Sequence, residues 1–94
     1  MIKIIIERRI MPGLEEEYDA AAREAMRASI NARGFIAGES LRERHHPEHR
    51  LLITQWRDLS AWSDWQNSPE RQQAMQHILP LLTEDEHIRI YEHY

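Results

Sequence analysis

The chain has 94 residues, a formal net charge of −4 and no cysteine. That length is expected to make one domain, residues 1–94, burying only about 60–65% of the surface its unfolded chain exposes; no disulfide can supplement that core. The acidic balance argues against a nucleic-acid or anionic-membrane partner, each of which calls for a concentrated basic face. No stretch approaches the ~18 apolar residues of a membrane span, and the opening Met1-Ile-Lys-Ile-Ile-Ile-Glu7 lacks the apolar length of a signal peptide. A cytoplasmic homodimer is the simplest expectation.

In chain order, residues 2–11 alternate as a strand with Ile2, Ile4, Ile6 and Ile10 on one face. Lys3, Ile5, Glu7 and Arg9 fall on the other face, where ion pairing across an interface is expected. Pro12-Gly13 punctuates, and residues 14–32 read as a helix with Leu14, Tyr18, Ala21, Ala22, Ala25 and Ser29 on one stripe. Glu15, Glu16 and Glu17 sit at its positive dipole end, and Gly34 suits a left-handed C-cap.

A second strand runs from Phe35 to about Arg44, with Gly38 and Ser40 leaving one face nearly bare for something bulky. His45 to His49 reads as a hairpin loop, and Arg50 to Arg57 as a third strand. Asp58 or Ser60 can cap a short helix to about Gln66; Ser68 and Pro69 open another, with Met75, Ile78, Leu79 and Leu82 as its stripe. His87 to Tyr94 closes as a strand with Ile88 and Ile90 inward. The order β-α-β-β-α-β is that of an α+β, ferredoxin-like fold: a four-stranded antiparallel sheet with helices on one face and a second subunit on the other.

All three tryptophans, Trp56, Trp62 and Trp65, fall within ten positions. Trp62 and Trp65 are three apart and share a helix face, so they can wall a cavity for a planar aromatic guest or fill a core. His45, His46 and His49 flank Pro47 with no carboxylate or cysteine placed to complete a tetrahedral set, so a solvated turn is expected and no metal site. His87 and His93 lie too far apart along a strand to share a ligand.

The chain resembles the antibiotic biosynthesis monooxygenase family. The residues that carry the likeness are the opening strand with Pro12-Gly13 and its acidic helix start, Gly34-Phe35, the strand ending in Trp56, the Trp62/Trp65 helix, Ser68-Pro69-Glu70, Leu79-Pro80-Leu81-Leu82 and Ile90-Tyr91-Glu92. The resemblance implies a dimeric α+β barrel, two sheets packed face to face, with a pocket in each subunit between sheet and helices. It also implies one of several activities: cofactor-free oxygenation of polycyclic phenols or quinols, haem degradation, or binding without turnover.

Cofactor-free oxygenation needs a deprotonated, electron-rich substrate held away from water. Trp62 and Trp65 are the expected walls of such a pocket, with Trp65 also able to act in the chemistry. His77 is the expected base or hydrogen-bond donor, since it borders the apolar stripe beside Ala74 and Leu81 and has an ordinary pKa of about 6.5. Arg89 can stabilise a developing anion or join an intersubunit salt bridge. Met75 falls where the haem-degrading branch has its histidine ligand, and His77 lies about 200° further round the helix; that branch's first-strand asparagine is unmatched as well. No cofactor is therefore expected, and a small aromatic phenol or quinol is the expected substrate.

Overall fold

The computed structural model describes residues 1–94. Strand β1 (Ile2–Arg9) is followed by helix α1 (Glu15–Ile30), strands β2 (Phe35–Glu43) and β3 (His46–Trp56), helices α2 (Leu59–Gln66) and α3 (Pro69–Ile78), a single 3-10 turn at Leu79–Leu81 and strand β4 (His87–Glu92). The four strands pair antiparallel in the order β2-β3-β1-β4. This is the ferredoxin-like α+β arrangement. No helix is long and apolar enough to cross a membrane.

Register decides which residues meet the helices. Ile2, Ile4 and Ile6 of β1 lie opposite Trp56, Thr54 and Leu52 of β3, and this face packs under the helices. Trp56 is fully buried at its centre, edge-on to Phe35 (5.3 Å between centroids) and to Trp62 (5.9 Å), and stacked on Trp65 (6.3 Å). A second cluster of Ile10, Tyr18, Met75, Ile78 and Leu82 closes the other end. Between them the parity that buries Ile4 and Ile6 also buries Arg8, 3% exposed, and the register sets it opposite Arg50, 8% exposed.

The caps behave as the residue types dictate. The Asp58 side chain, not Ser60, accepts from the Ala61 N–H, which holds the Asp58 carboxyl below its usual range. Ser68 accepts from the Arg71 N–H with Pro69 behind it. Gly34 is not the C-cap of α1: Asn31 ends that helix in right-handed geometry. Gly34 has φ +82° and lies where a Cβ would stand 2.4 Å from the Ala61 Cβ, so glycine is required to let α2 approach β2. At Gly38 the bulky neighbour is Met26, whose sulfur would lie 2.8 Å from an added Cβ.

Several expectations need correction. The β2–β3 turn is only Arg44-His45; His46 to His49 belong to β3, because a register irregularity at Arg42/Glu43 lengthens the strand past the loop-like composition. Regular pairing of β1 stops at Arg9, with Ile10 bridging Leu82 alone. Ile90 has the inward parity but is 52% exposed, and Leu79 leaves the stripe in the 3-10 turn and is 46% exposed.

Candidate functional site

The cavity lies between the helix-facing side of the sheet and helices α1, α2 and α3. Its apolar walls are Ile6, Leu52, Trp62, Trp65, Ala74 and Met75, with Met26 and Ala22 of α1 on the side of the β2 edge. The volume is about 30 Å³. Trp62 and Trp65 are core residues, 2% and 8% exposed, and both line the cavity.

Arginines supply the polar side. Arg8 Nη1 donates to the Tyr18 hydroxyl at 3.0 Å, its Nη2 lies 3.7 Å from the Met75 sulfur, and its Nε donates to Glu86 at 2.8 Å. Arg71 Nη2 donates to the other Glu86 oxygen at 2.6 Å, and its guanidinium lies over the Trp62 ring, 5.7 Å from the centroid. Two guanidiniums therefore share one carboxylate, leaving one uncompensated positive charge on the cavity wall.

Burial by itself would raise the Glu86 carboxyl, but Arg8 and Arg71 more than offset it and hold it below the usual range. Burial likewise opposes charge on Arg8, and facing Tyr18 and Glu86 more than restores it. Beside these groups the indole Nε1 of Trp62 is buried with no protein acceptor, whereas that of Trp56 donates to Thr54 Oγ1 at 2.9 Å. A buried unpaired donor costs about 1–3 kcal/mol, a cost a ligand acceptor would remove.

Of the residues singled out from sequence, Trp62, Trp65 and Met75 come together here. His77 does not. It is exposed and lines a separate groove on the solvent side of α1 and α3, with Glu17, Glu24 and Glu70. Two residues beyond Met75 on a helix points it away from the cavity. For the same reason His77 does not fit as an axial haem ligand beside Trp65. Arg89 is on the open sheet face, its Nη2 3.9 Å from Glu7.

Arg8, Tyr18, Arg71 and Glu86 were not foreseen as site residues. Strand parity was a usable signal for Arg8, because position 8 shares the face of Ile2, Ile4, Ile6 and Ile10. Arg71 and Glu86 meet across the fold and had no local signal.

On the open face His49 is held between two carboxylates, Nε2 2.5 Å from Glu7 and Nδ1 2.6 Å from Glu43. Those contacts raise the His49 pKa and lower those of Glu7 and Glu43. His46 lies within 3.9 Å of Glu43 and 3.7 Å of Glu48. No group of three or more His, Asp or Glu is disposed to hold a metal ion.

Fold and cavity together define a ferredoxin-like α+β protein with a cationic, tryptophan-walled pocket under its helices. The family model described as antibiotic biosynthesis monooxygenase matches residues 1–77, and the chain belongs to that family. Solved structures agree in fold. One described as an antibiotic biosynthesis monooxygenase has a TM-score of 0.91 at 17% identity, covering 100% of this chain and 99% of its own. A putative antibiotic biosynthesis monooxygenase from Nitrosomonas europaea has a TM-score of 0.91 at 15% identity over 99% and 98% of the two chains. SnoaB, a cofactor-independent oxygenase from Streptomyces nogalater, has a TM-score of 0.87 at 17% identity over 99% and 93%. Comparison with curated proteins gives no match.

Proposed function

We propose that this chain is a cofactor-independent monooxygenase of a small aromatic phenol or quinol, with the ring entering the cavity between Trp62, Trp65 and Met75. The observation that carries this reading is the pairing of two guanidiniums, the buried Arg8 and the part-buried Arg71, with a single carboxylate, next to a buried indole N–H that has no acceptor. That arrangement is matched to an oxyanion: the phenolate would take the spare charge of Arg8 and Arg71, and a ring carbonyl could accept from Trp62 Nε1. The arginines thereby take over the part that sequence reasoning gave to His77. They favour ionisation of the bound phenol without a protein base.

For a hydroxyanthrone the balance is complete with dioxygen as the other reactant. The ionised substrate passes one electron to dioxygen, and the resulting radical pair joins to form a carbon–oxygen bond. Cleavage of the oxygen–oxygen bond then leaves a carbonyl at that carbon. One of that carbon's two hydrogens was given up to water as a proton on ionisation; the other leaves with the second oxygen as hydroxide, and the two combine as water.

The test is oxygen uptake with product mass analysis under ¹⁸O-labelled dioxygen on hydroxyanthrones and naphthohydroquinones, with autoxidation subtracted. One labelled oxygen in the product is expected, with Arg71→Gln slowed about 10²-fold, the usual cost of a lost oxyanion donor, and Trp65→Ala slowed as well. No protein-dependent product from any of these substrates would refute oxygenation, and ligand binding without turnover would assign a carrier.

The partner we propose is a second copy on the open sheet face. Ile5, Leu41, Leu51 and Ile53 share that face by register, Leu41 is 43% exposed, and the His49–Glu7–Glu43 group borders them. Sedimentation velocity should give twice the 11.3 kDa chain mass, and a monomer at micromolar concentration would refute it.

A further inference from the structure

The cavity alone does not define a substrate. At about 30 Å³ it has room for roughly one water, whereas a benzene-sized guest needs a cavity on the order of 150 Å³. An aromatic ring can enter only if a wall moves. The candidate wall is Met26, an unbranched thioether side chain that lines the cavity on one side and a larger groove on the other. That groove runs between α1 and β2, with a volume of about 570 Å³, and Ala22, Met26 and Ser40 border both spaces. Gly38 is what lets Met26 lie there, since a Cβ at that position would meet its sulfur and methyl at 2.8 and 3.0 Å.

The charge of this groove is unusual for an acidic protein. Register sets Arg42 of β2 opposite Arg50 of β3, and Arg50 opposite Arg8 of β1, so three arginines form a row across the helix-facing side of the sheet. Like charges directly opposite on neighbouring strands are destabilising. Arg8 has Glu86, and Arg50 has Asp19 at 2.5 Å with the Pro47 carbonyl at 2.6 Å. Arg42 has no such partner, nor has Arg23 on the facing side of α1.

Eight of the twelve lysines and arginines pair with a carboxylate; of the four that do not, these two line one groove. The groove's own acids do not neutralise them. Asp19 is engaged by Arg50, and Glu39 belongs by register with Ile53 on the opposite face of the sheet.

We infer that the groove is the outer half of the same site and that Arg23 and Arg42 receive a carboxylate carried on a side chain of the aromatic substrate. Met26 separates the two halves and moves aside as the ring passes inward. The inference rests on the phenol reading for the ring. The side-chain carboxylate is its own addition, so the two can fail separately.

The experiment uses an unreactive naphthol bearing a propanoate side chain and its methyl ester, bound to the full chain and followed by tryptophan fluorescence. The wild type should prefer the acid over the ester by about tenfold, a preference that shrinks as salt is raised. Arg23→Gln with Arg42→Gln, both at exposed positions, should abolish that preference and leave ester affinity unchanged. Arg71→Gln, inside the cavity, should weaken acid and ester alike. Equal wild-type binding of acid and ester, a preference surviving the double substitution, or no binding of either probe would each overturn the inference. Acid preference in these probes, with no protein-dependent oxygen uptake on the hydroxyanthrones and naphthohydroquinones, would uphold the groove and refute the oxygenase.

Discussion

Replacing Glu86 by glutamine keeps the shape of the side chain and removes the one anion that Arg8 and Arg71 share. Arg8 is 3% exposed and Arg71 12%, so the repulsion between them is not screened as it would be on a surface. Breaking a buried pair by removing one partner costs about 3–5 kcal/mol. The lower end, about 3, is expected because the glutamine carbonyl still accepts from one guanidinium. A chain of 94 residues has about 5–14 kcal/mol in total, so the variant should fold with a visibly lower urea midpoint and an unchanged slope.

Ligand ionisation should move the other way, because the cavity gains a charge. At a separation on the order of 6 Å and an effective dielectric of about 20, one unit charge is worth ~3 kcal/mol, or about two pKa units. A bound hydroxyanthraquinone reports its own ionisation by absorbance, and its pKa should fall in Glu86→Gln and rise in Arg71→Gln. The stability effect has a pH signature too. The Glu86 carboxyl is depressed in the folded state, so its contribution is complete above the unfolded value near 4.5 and fades as pH falls through the lower folded value. Glu86→Gln should flatten that acid limb. Shifts of the same sign in the two variants, or a stability loss under about 1 kcal/mol for Glu86→Gln, would refute the shared-anion account.

Further outcomes follow from the same geometry. Gly34→Ala combines a positive φ with a 2.4 Å approach to Ala61 and should cost about 2–4 kcal/mol in urea unfolding, whereas Gly38→Ala meets the flexible end of Met26 and, at 3.2 Å, the edge of the Phe35 ring and should cost less, about 1 kcal/mol. His49 should titrate above 6.5 by NMR, and Glu43→Gln should bring it down. Because His49 is raised and Glu7 and Glu43 lowered, this network contributes fully between the unfolded carboxylate and histidine values; its contribution fades as pH rises through the raised histidine pKa or falls through the lowered carboxylate values. His77→Ala should leave ligand affinity within twofold of wild type, as its side chain borders a different groove; a tenfold loss would return it to the site.

Where local rules sufficed, the sequence was legible. Alternation found β1 and β4, the apolar run Leu51-Leu52-Ile53 found the second half of β3, and Ser68-Pro69 placed the start of α3 to the residue. The β2–β3 turn was misread because His45-His-Pro-Glu-His49 has loop composition, whereas cross-strand carboxylates give His49 a reason to be in a strand. In the pocket, the tryptophans were found by their size and spacing, which are local properties. His77 was misplaced by an error of phase: bordering an apolar stripe does not say which side of the helix the imbalance falls. Glu86 joins Arg8 across 78 positions of sequence, a meeting no periodicity reports.

The row Arg42–Arg50–Arg8 separates what folding requires from what it does not. At those positions an apolar residue would satisfy both strand alternation and the core, as Ile4, Ile6 and Leu52 do one or two rungs away. Instead the chain keeps guanidiniums opposite one another and needs Tyr18 and Asp19 of α1 together with Glu86 before β4 to hold two of them. Replacing a buried ionic group by well-packed apolar residues is often neutral or stabilising by about 1–4 kcal/mol. Arg8→Met, Arg71→Met and Glu86→Leu together should therefore fold at least as stably as the wild type while losing the ability to bind a phenolate. Loss of folding in that triple variant would make the three charges part of the scaffold, and only the unpaired Trp62 Nε1 would then point to a ligand.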